Sequence, residues 1–208
     1  MISYKYLNLT IMIISKAGCV IWVFIGMLLL VSCQEETGYK LYESLKKKEL
    51  ASGQKVDSLF LGIRLGMTSK QFYGHCWEMN KKGLFTDGEN NTAVLYQLNK
   101  HELNYSAFMN FYPEFHQGKV YKMGVSFQYD AWAPWNTHLS SDSLYADVVD
   151  LYKKWYKAGN PFIEINDEKK GTIYVKVDGN RRITIGKFNE LYVKVDYTDL
   201  LVDRQIRK

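Results

Sequence analysis

Residues 172–197 read TIYVKVDGNRRITIGKFNELYVKVDY, and this stretch decides the fold class. Apolar and polar side chains alternate through it, which is the period-two pattern of strands with one buried face. Asp178-Gly179-Asn180 interrupts the alternation, and these residue types favour a tight turn between antiparallel strands. Residues 187–190 supply a second short connection. We therefore predict three antiparallel strands, at 172–178, 182–188 and 191–197.

The same alternation occurs upstream. It predicts strands at 92–98, 105–112, 119–129 and 162–165. The run LFLGIRLGM (59–67) predicts a further short strand that ends at Gly66.

Two amphipathic helices interrupt the strands. The first begins at Thr68, where Thr68 and Gln71 match a capping box, and Gly83 is a typical residue for its end. The second spans about 142–157 and ends before Gly159. Its apolar side chains fall on one face: Leu144, Val148, Leu151 and Trp155.

The order helix, then several antiparallel strands, therefore occurs twice. We predict an α+β fold in which two helix-then-meander repeats, halves 58–130 and 140–200, build one antiparallel sheet with the helices packed on one face. This arrangement resembles the two-repeat fold of β-lactamase-inhibitor-like proteins. Gly66-Met67-Thr68 at the first helix is similar to the small outer-membrane lipoproteins of the SmpA/OmlA group, although Lys82-Gly83-Leu84 stands where that group has Gly-x-Pro. The resemblance implies an architecture and says nothing about activity. An unrelated sheet with two similar halves is the alternative.

The N-terminus has the pattern of an export signal. Residues 17–32 form an uncharged apolar run after Lys5 and Lys16, too short for an ordinary spanning helix. Leu30-Val31-Ser32-Cys33 resembles the lipobox of bacterial lipoproteins, which implies cleavage before Cys33 and acylation of its thiol. An uncleaved signal anchor is the alternative, and both place the rest of the chain outside the cytoplasm.

These features predict three segments. Residues 1–32 are the signal peptide, and residues 33–57 hold the lipidated Cys33 and a tether or short helix that lifts the domain off the membrane. Residues 58–208 form the domain. The expected location is a bacterial membrane, with the outer membrane favoured.

Composition argues against a nucleic-acid partner. The chain has 27 Lys+Arg and 22 Asp+Glu, and without Lys5 and Lys16 its net charge is near +3, which is too balanced for a nucleic-acid-binding domain with its basic face. Of three cysteines, only Cys76 stays free in a lipidated mature chain, so an intrachain disulfide is not expected.

Catalytic motifs are missing from the sequence. None of the four His has metal-ligand spacing, there is no CxxC, and no phosphate-binding or nucleophile motif occurs. Cys76 lies on an apolar helical stripe with Phe72 and Met79, as expected of a core thiol. Glu114, Asp130 and Asp142 show no spacing that predicts a catalytic pair. We expect no enzyme activity, no cofactor and no metal.

Two features suggest binding. Alternation places the apolar side chains of 172–197 inward and an aromatic and basic set on the opposite face, namely Tyr174, Lys176, Arg182, Thr184, Tyr192 and Lys194. This face is either a docking surface or an ordinary solvated face. Trp132 and Trp135 share a loop, where they either bind a ligand or close the end of the sheet.

The sequence thus predicts a membrane-anchored, non-enzymatic lipoprotein that binds another protein of the cell envelope. The alternative is a glycan- or small-ligand-binding lipoprotein that uses Trp132 and Trp135.

Overall fold

A computed structural model of the chain describes residues 38–88, 92–167 and 171–208. Its four α-helices are α1 (Gly38–Ser52), α2 (Ser69–Lys81), α3 (Ser141–Trp155) and α4 (Leu200–Ile206). The strands are β1 (Thr86–Asp87), β2 (Val94–Leu98), β3 (Ala107–His116), β4 (Lys119–Tyr129), β5 (Ile163–Asp167), β6 (Gly171–Asp178), β7 (Arg181–Lys187) and β8 (Val193–Asp199). The α+β fold class is confirmed.

All eight strands belong to one antiparallel sheet in the order β1-β2-β3-β4-β8-β7-β6-β5. The first four strands and the last four meet where β4 pairs with β8, with Val125 opposite Val195. The long strand β4 has the bounds predicted from its alternation, since its buried and accessible residues alternate along most of its length.

The main hydrophobic core lies on one face of the sheet, which we name the core face. Helix α3 packs there with Leu144, Val148, Leu151 and Tyr152. Its Tyr152 ring contacts Phe127 of β4 and Tyr197 of β8. Helix α2 contributes Phe72 to the same core. The predicted capping box is present, because Gln71 N–H donates to Thr68 Oγ1 and the Gln71 side chain accepts from Thr68 N–H.

Residues 59–67 do not form the predicted strand. Arg64 forms an isolated bridge with Ser58, and Gly66 and Met67 exchange backbone hydrogen bonds with Val120. No strand forms, because Leu61, Gly62 and Gly66 have positive φ angles that break an extended chain. Leu59, Phe60, Ile63 and Leu65 are nevertheless buried in the main core. The apolar pattern therefore predicted correctly that these residues are buried, but the predicted strand conformation of the backbone is wrong.

A second, smaller core occupies the opposite face, which we name the second face. Helix α1 packs there with Tyr42 against Ile163, Ile165, Val175 and Val177, and Leu200 of α4 joins them. Gly38 begins α1 so close to β5 that a Cβ atom would lie 2.0 Å from Glu164 O. Helices therefore lie on both faces, and the prediction of helices on one face is wrong.

Helix α1 is part of the domain. One compact unit spans Thr37–Lys208, whereas the sequence interpretation placed residues 33–57 outside the domain as a tether or short helix. The periodic stripe of α1 contains only Tyr42, Leu45 and Leu50, which is too little to indicate from sequence alone that a sheet covers it.

Candidate functional site

Part of the second face carries polar side chains beside the region that α1 covers. Cross-strand pairing arranges them in three rows: Asn110, Ser126 and Lys194; then Tyr112, Gly124, Asp196 and Thr184; then Glu114, Lys122, Thr198 and Arg182. Directly paired residues point to the same side of an antiparallel sheet. These eleven residues, which we name the polar strip, therefore cross four strands on one face.

One end of the polar strip forms a cleft of about 400 Å³ against α1. Tyr39 and Tyr42 of α1 and Arg207 line it above the sheet. Arg182 holds the cleft floor in place, since its guanidinium donates to Tyr42 Oη at 3.2 Å and to Thr198 Oγ1 at 3.2 Å. Its Nε is buried and has no hydrogen-bond partner among the described residues.

The charged groups of the cleft are only partly neutralised. Glu114 accepts a hydrogen bond from Tyr121 Oη at 2.8 Å and lies 3.5 Å from Lys122 Nζ. Asp196 remains accessible to solvent, yet the surrounding protein displaces enough water to raise the pKa of its carboxyl. Lys194, Arg182 and Lys122 oppose this rise without cancelling it. Asp196 is thus an accessible carboxylate that a further positive charge would stabilise.

The other end of the strip is a shallow depression of about 400 Å³ around Gly124. Gly124 has no side chain, and the nearest atoms to a Cβ built there are 4.0 Å away, so the depression is open above it. Tyr112 borders it with 44% of its surface exposed, and its hydroxyl lies 2.7 Å from the hydroxyl of Tyr73 on α2.

The predicted aromatic and basic face is divided between the two faces of the sheet. The hairpin turn is confirmed as a two-residue loop, because Asp178 pairs with Arg181 around Gly179-Asn180. Lys176 then pairs with Ile183 and Tyr174 with Ile185, and both isoleucines are in the main core. Tyr174 and Lys176 therefore belong to the core face, whereas Arg182, Thr184 and Lys194 belong to the second face. The prediction that they share one surface is wrong.

Lys176 is buried, with 1% of its surface exposed. Its ammonium donates to the carbonyl oxygens of Ala158 (2.9 Å) and Asn160, and lies 3.3 Å from Asp178. Asp178 also accepts from Arg181 at 2.9 Å. Buried charge needs such partners, and here they fix the loop after α3 against the sheet. Lys176 is therefore a structural residue and is not accessible to a partner protein.

Tyr174, Tyr192 and Lys194 have separate environments. Tyr174 packs against the main core, and its hydroxyl donates to Glu164 at 3.0 Å. Tyr192 lies outside β8, where Asn189 Oδ1 accepts from its backbone N–H at 2.8 Å. Lys194 is exposed on the second face, with its ammonium 3.5 Å from the centre of the Phe188 ring. Of these three, Lys194 lies on the polar strip.

The two tryptophans of residues 131–136 also differ. Trp132 packs against the main core, whereas Trp135 has 81% of its surface exposed. The loop is held by Asn136, whose side-chain amide donates to Ala131 O at 3.1 Å. Trp132 therefore closes the core, and Trp135 is a single accessible indole instead of half of a pair.

Three groups that could perform catalysis have partners or packing within the fold. His75 Nε2 lies 2.8 Å from Leu61 O, and burial raises the pKa of the Cys76 thiol to about 11. Asp142 of α3 pairs with Lys187 of β7 at 2.6 Å. Asp142 lies on the opposite side of the sheet from Glu114. Within residues 38–88, 92–167 and 171–208, no three His, Cys, Asp or Glu side chains are grouped to hold a metal ion.

Sequence reasoning missed the polar strip as a unit. Its rows combine β3 and β4 with β7 and β8, and the pairing of β4 with β8 joins residues about 70 positions apart. The alternation in β4 does place Lys122, Gly124 and Ser126 on one face, which was the available signal.

Cys33 and the signal segment lie outside the described residues. Among the helices that are described, none is long and apolar enough to cross a membrane. Searches against family models, curated proteins and solved structures give no match.

Proposed function

We propose that this protein is an exported lipoprotein, anchored to a bacterial membrane through acylated Cys33, that binds another protein of the cell envelope without catalysing a reaction. The polar strip is the proposed binding surface. The observation that carries this proposal is the accessible width of the strip, which crosses four strands beside helix α1, the helix that packs on β5 and β6 of the same face.

The form of the strip favours a protein over a small molecule. Small-ligand sites bury most of the ligand in a concave, mainly apolar cavity. The strip instead has shallow hollows and an accessible tyrosine, Tyr112, a residue type enriched at protein interfaces. Its charges of both signs could complement opposite charges on a partner protein. Asp196 would gain from a cationic group of the partner, because its own surroundings disfavour the charged carboxylate.

The strip also supports a non-enzymatic role. Glu114 is occupied by Tyr121 and Lys122, and Arg182 is occupied by Tyr42 and Thr198. A hydrolytic pair of carboxylates needs one group free to transfer a proton. Asp196 and Glu114 are in adjacent rows on different strands, and basic side chains lie near both carboxylates.

We further propose that the two halves of the sheet arose by duplication, as in the two-repeat fold that the sequence resembles. The strand order supports this, because a two-fold axis between β4 and β8 would relate β1–β4 to β5–β8. Helices α2 and α3 precede the corresponding strands. Co-expressed fragments 38–130 and 131–208 should then associate through β4 and β8, and two fragments that never co-purify would count against independent halves.

The anchor is tested by metabolic labelling with palmitate. The wild-type chain should incorporate the label, and Cys33→Ala should not, because the thiol of Cys33 is the proposed acceptor. Equal labelling of both chains would exclude acylation at this position.

The binding surface is tested by capture from native membranes. Ser126→Trp fills the open depression, and Lys194→Glu reverses an exposed charge on the same strip. The double variant should lose the proteins that the wild type captures. Lys154→Glu is the matched control, because Lys154 is exposed on α3 at the core face. Loss in the control, or retention in the double variant, would contradict the proposal.

Trp135 supports a second candidate, glycan binding, because an exposed indole can stack on a sugar ring. Trp135→Ala should then abolish retention on an immobilised cell-wall glycan without changing protein capture. Unchanged retention would remove this candidate.

A further inference from the structure

A basic groove of about 990 Å³ separates α1 from α4 on the second face. Twelve residues line it, and half of them are basic: Lys46, Lys47, Arg182, Arg204, Arg207 and Lys208. Glu43 and Asp203 are its acidic residues. Glu43 pairs with Lys46 at 2.5 Å, and Asp203 pairs with Arg207 at 3.0 Å. The remaining cations exceed the carboxylates, so the groove attracts anions.

Lys47, Arg204 and Lys208 carry this excess. All three are exposed, and none has a carboxylate within salt-bridge distance in the described part of the chain. Arg182 closes the groove at its base, with polar partners that are uncharged and a buried Nε that has no partner among the described residues. The cations thus surround a common space from both helices and from the sheet.

The groove also has an apolar floor, formed by Leu50, Ala51 and Leu200. A purely polar anion such as inorganic phosphate gains nothing from apolar contacts, whereas a lipid has a phosphate and apolar chains in one molecule. The combination of cations above an apolar floor therefore fits a lipid better than a free anion.

The position of the groove along the chain points to the same ligand. Five residue steps separate Cys33 from Gly38, an extended length of at most roughly 18 Å. Tyr39 at the start of α1 and Arg207 after α4 line one cleft, so the basic end of α4 lies near the beginning of α1. An anchor at Cys33 would hold this end of the domain close to lipid headgroups.

We infer that the α1–α4 groove binds the phosphate headgroup of an anionic phospholipid of the anchoring membrane, and so orients the domain on it. This inference uses the anchor of the proposed function for its location only. The groove and the polar strip share Arg182. The groove would bind the membrane, and the rest of the strip would bind the partner protein.

The test uses the full chain in neutral detergent, titrated with short-chain phosphatidylglycerol. An amine-reactive reagent with mass spectrometry measures protection of Lys46 and Lys208. The variant Lys47→Gln/Arg204→Gln removes two exposed groove cations, and Lys154→Gln/Lys157→Gln removes two exposed cations near the end of α3. The half-protecting lipid concentration should rise about 30-fold in the groove variant and stay within about twofold of wild type in the control.

Other probes separate the possible ligands. Short-chain phosphatidylcholine and inorganic phosphate should protect these lysines weakly or not at all. Equal protection by phosphatidylcholine would show apolar contact alone, and equal protection by phosphate would show a free-anion site, and either result overturns the inference. Protection by a polyglutamate peptide but not by phosphatidylglycerol would overturn it in favour of an acidic protein. Acylation of Cys33 does not enter this assay, so its failure leaves the proposed function to be tested separately.

Discussion

Replacing Lys176 with Ala should destabilise the domain strongly. The variant removes a buried ammonium that donates to Ala158 O and Asn160 O and pairs with Asp178. Removing one partner of a buried pair costs about 3–5 kcal/mol. Asp178 retains Arg181 and the backbone N–H of Asn160, which places the expected loss near the lower limit, at about 3 kcal/mol. For a domain of this size, that corresponds to a fall in Tm of roughly 6–12 °C.

Lys194→Ala is the matched control, because the sequence pattern placed both lysines on the same face. Lys194 is exposed, and its loss should change the free energy of unfolding by less than about 0.5 kcal/mol. Thermal unfolding followed by circular dichroism measures both variants under one condition. If Lys176→Ala melts within about 2 °C of Lys194→Ala, Lys176 is not buried and the pairing of β6 with β7 is misassigned.

Three further predictions concern single side chains. Asp196→Asn should raise the free energy of unfolding slightly at pH 7, by no more than about 0.5 kcal/mol, because solvent screens this exposed carboxylate. The raised pKa of Asp196 disfavours the charged form in the folded state, so the gain should vanish in acid as the wild-type carboxyl is protonated, and an equal gain at low pH would refute this. Cys76, with its pKa near 11, should react with iodoacetamide far more slowly at pH 8 in the folded chain than in denaturant, and equal rates would refute its burial. Trp135→Ala should change Tm by no more than about 2 °C, whereas Trp132→Ala should lower it by several degrees, and the reverse order would contradict their packing.

Local patterns predicted the elements well. The capping box at Thr68 located the start of α2, and the alternation in 119–129 located β4, because both signals arise within a few neighbouring residues. Helix α3 also followed its apolar periodicity. Residues 59–67 were wrongly predicted as a strand. A turn with positive φ angles can bury apolar side chains as well as a strand can, so their apolar pattern does not distinguish the two.

The site was predicted less well, and one error could have been avoided. A two-residue loop pairs Asp178 with Arg181, so each odd-numbered residue of β6 shares a face with an even-numbered residue of β7. The inward assignment of both Val175 and Ile183 contradicts that register. Applied to the sequence, the rule would have moved Lys176 to the core face. It would also have shown that the other face of β6 is apolar and needs a covering element, which in the structure is α1.

Other features depend on distant contacts that no local pattern reports. Carbonyl groups of the loop after α3 accept hydrogen bonds from Lys176, and the pairing of β4 with β8 creates the polar strip. Helix α1 leaves most of the strip accessible because its few apolar side chains pack mainly against β5 and β6.

Photocrosslinking in intact cells tests the central claim most directly. A photoreactive amino acid at position 194 places the probe on the polar strip, and the same residue at position 154 places it on the exposed surface of α3. Both variants keep Cys33 and should reach the membrane equally. The account predicts a discrete adduct with one envelope protein from position 194 and none from position 154. The same adducts from both positions, or an adduct from position 154 alone, would contradict it.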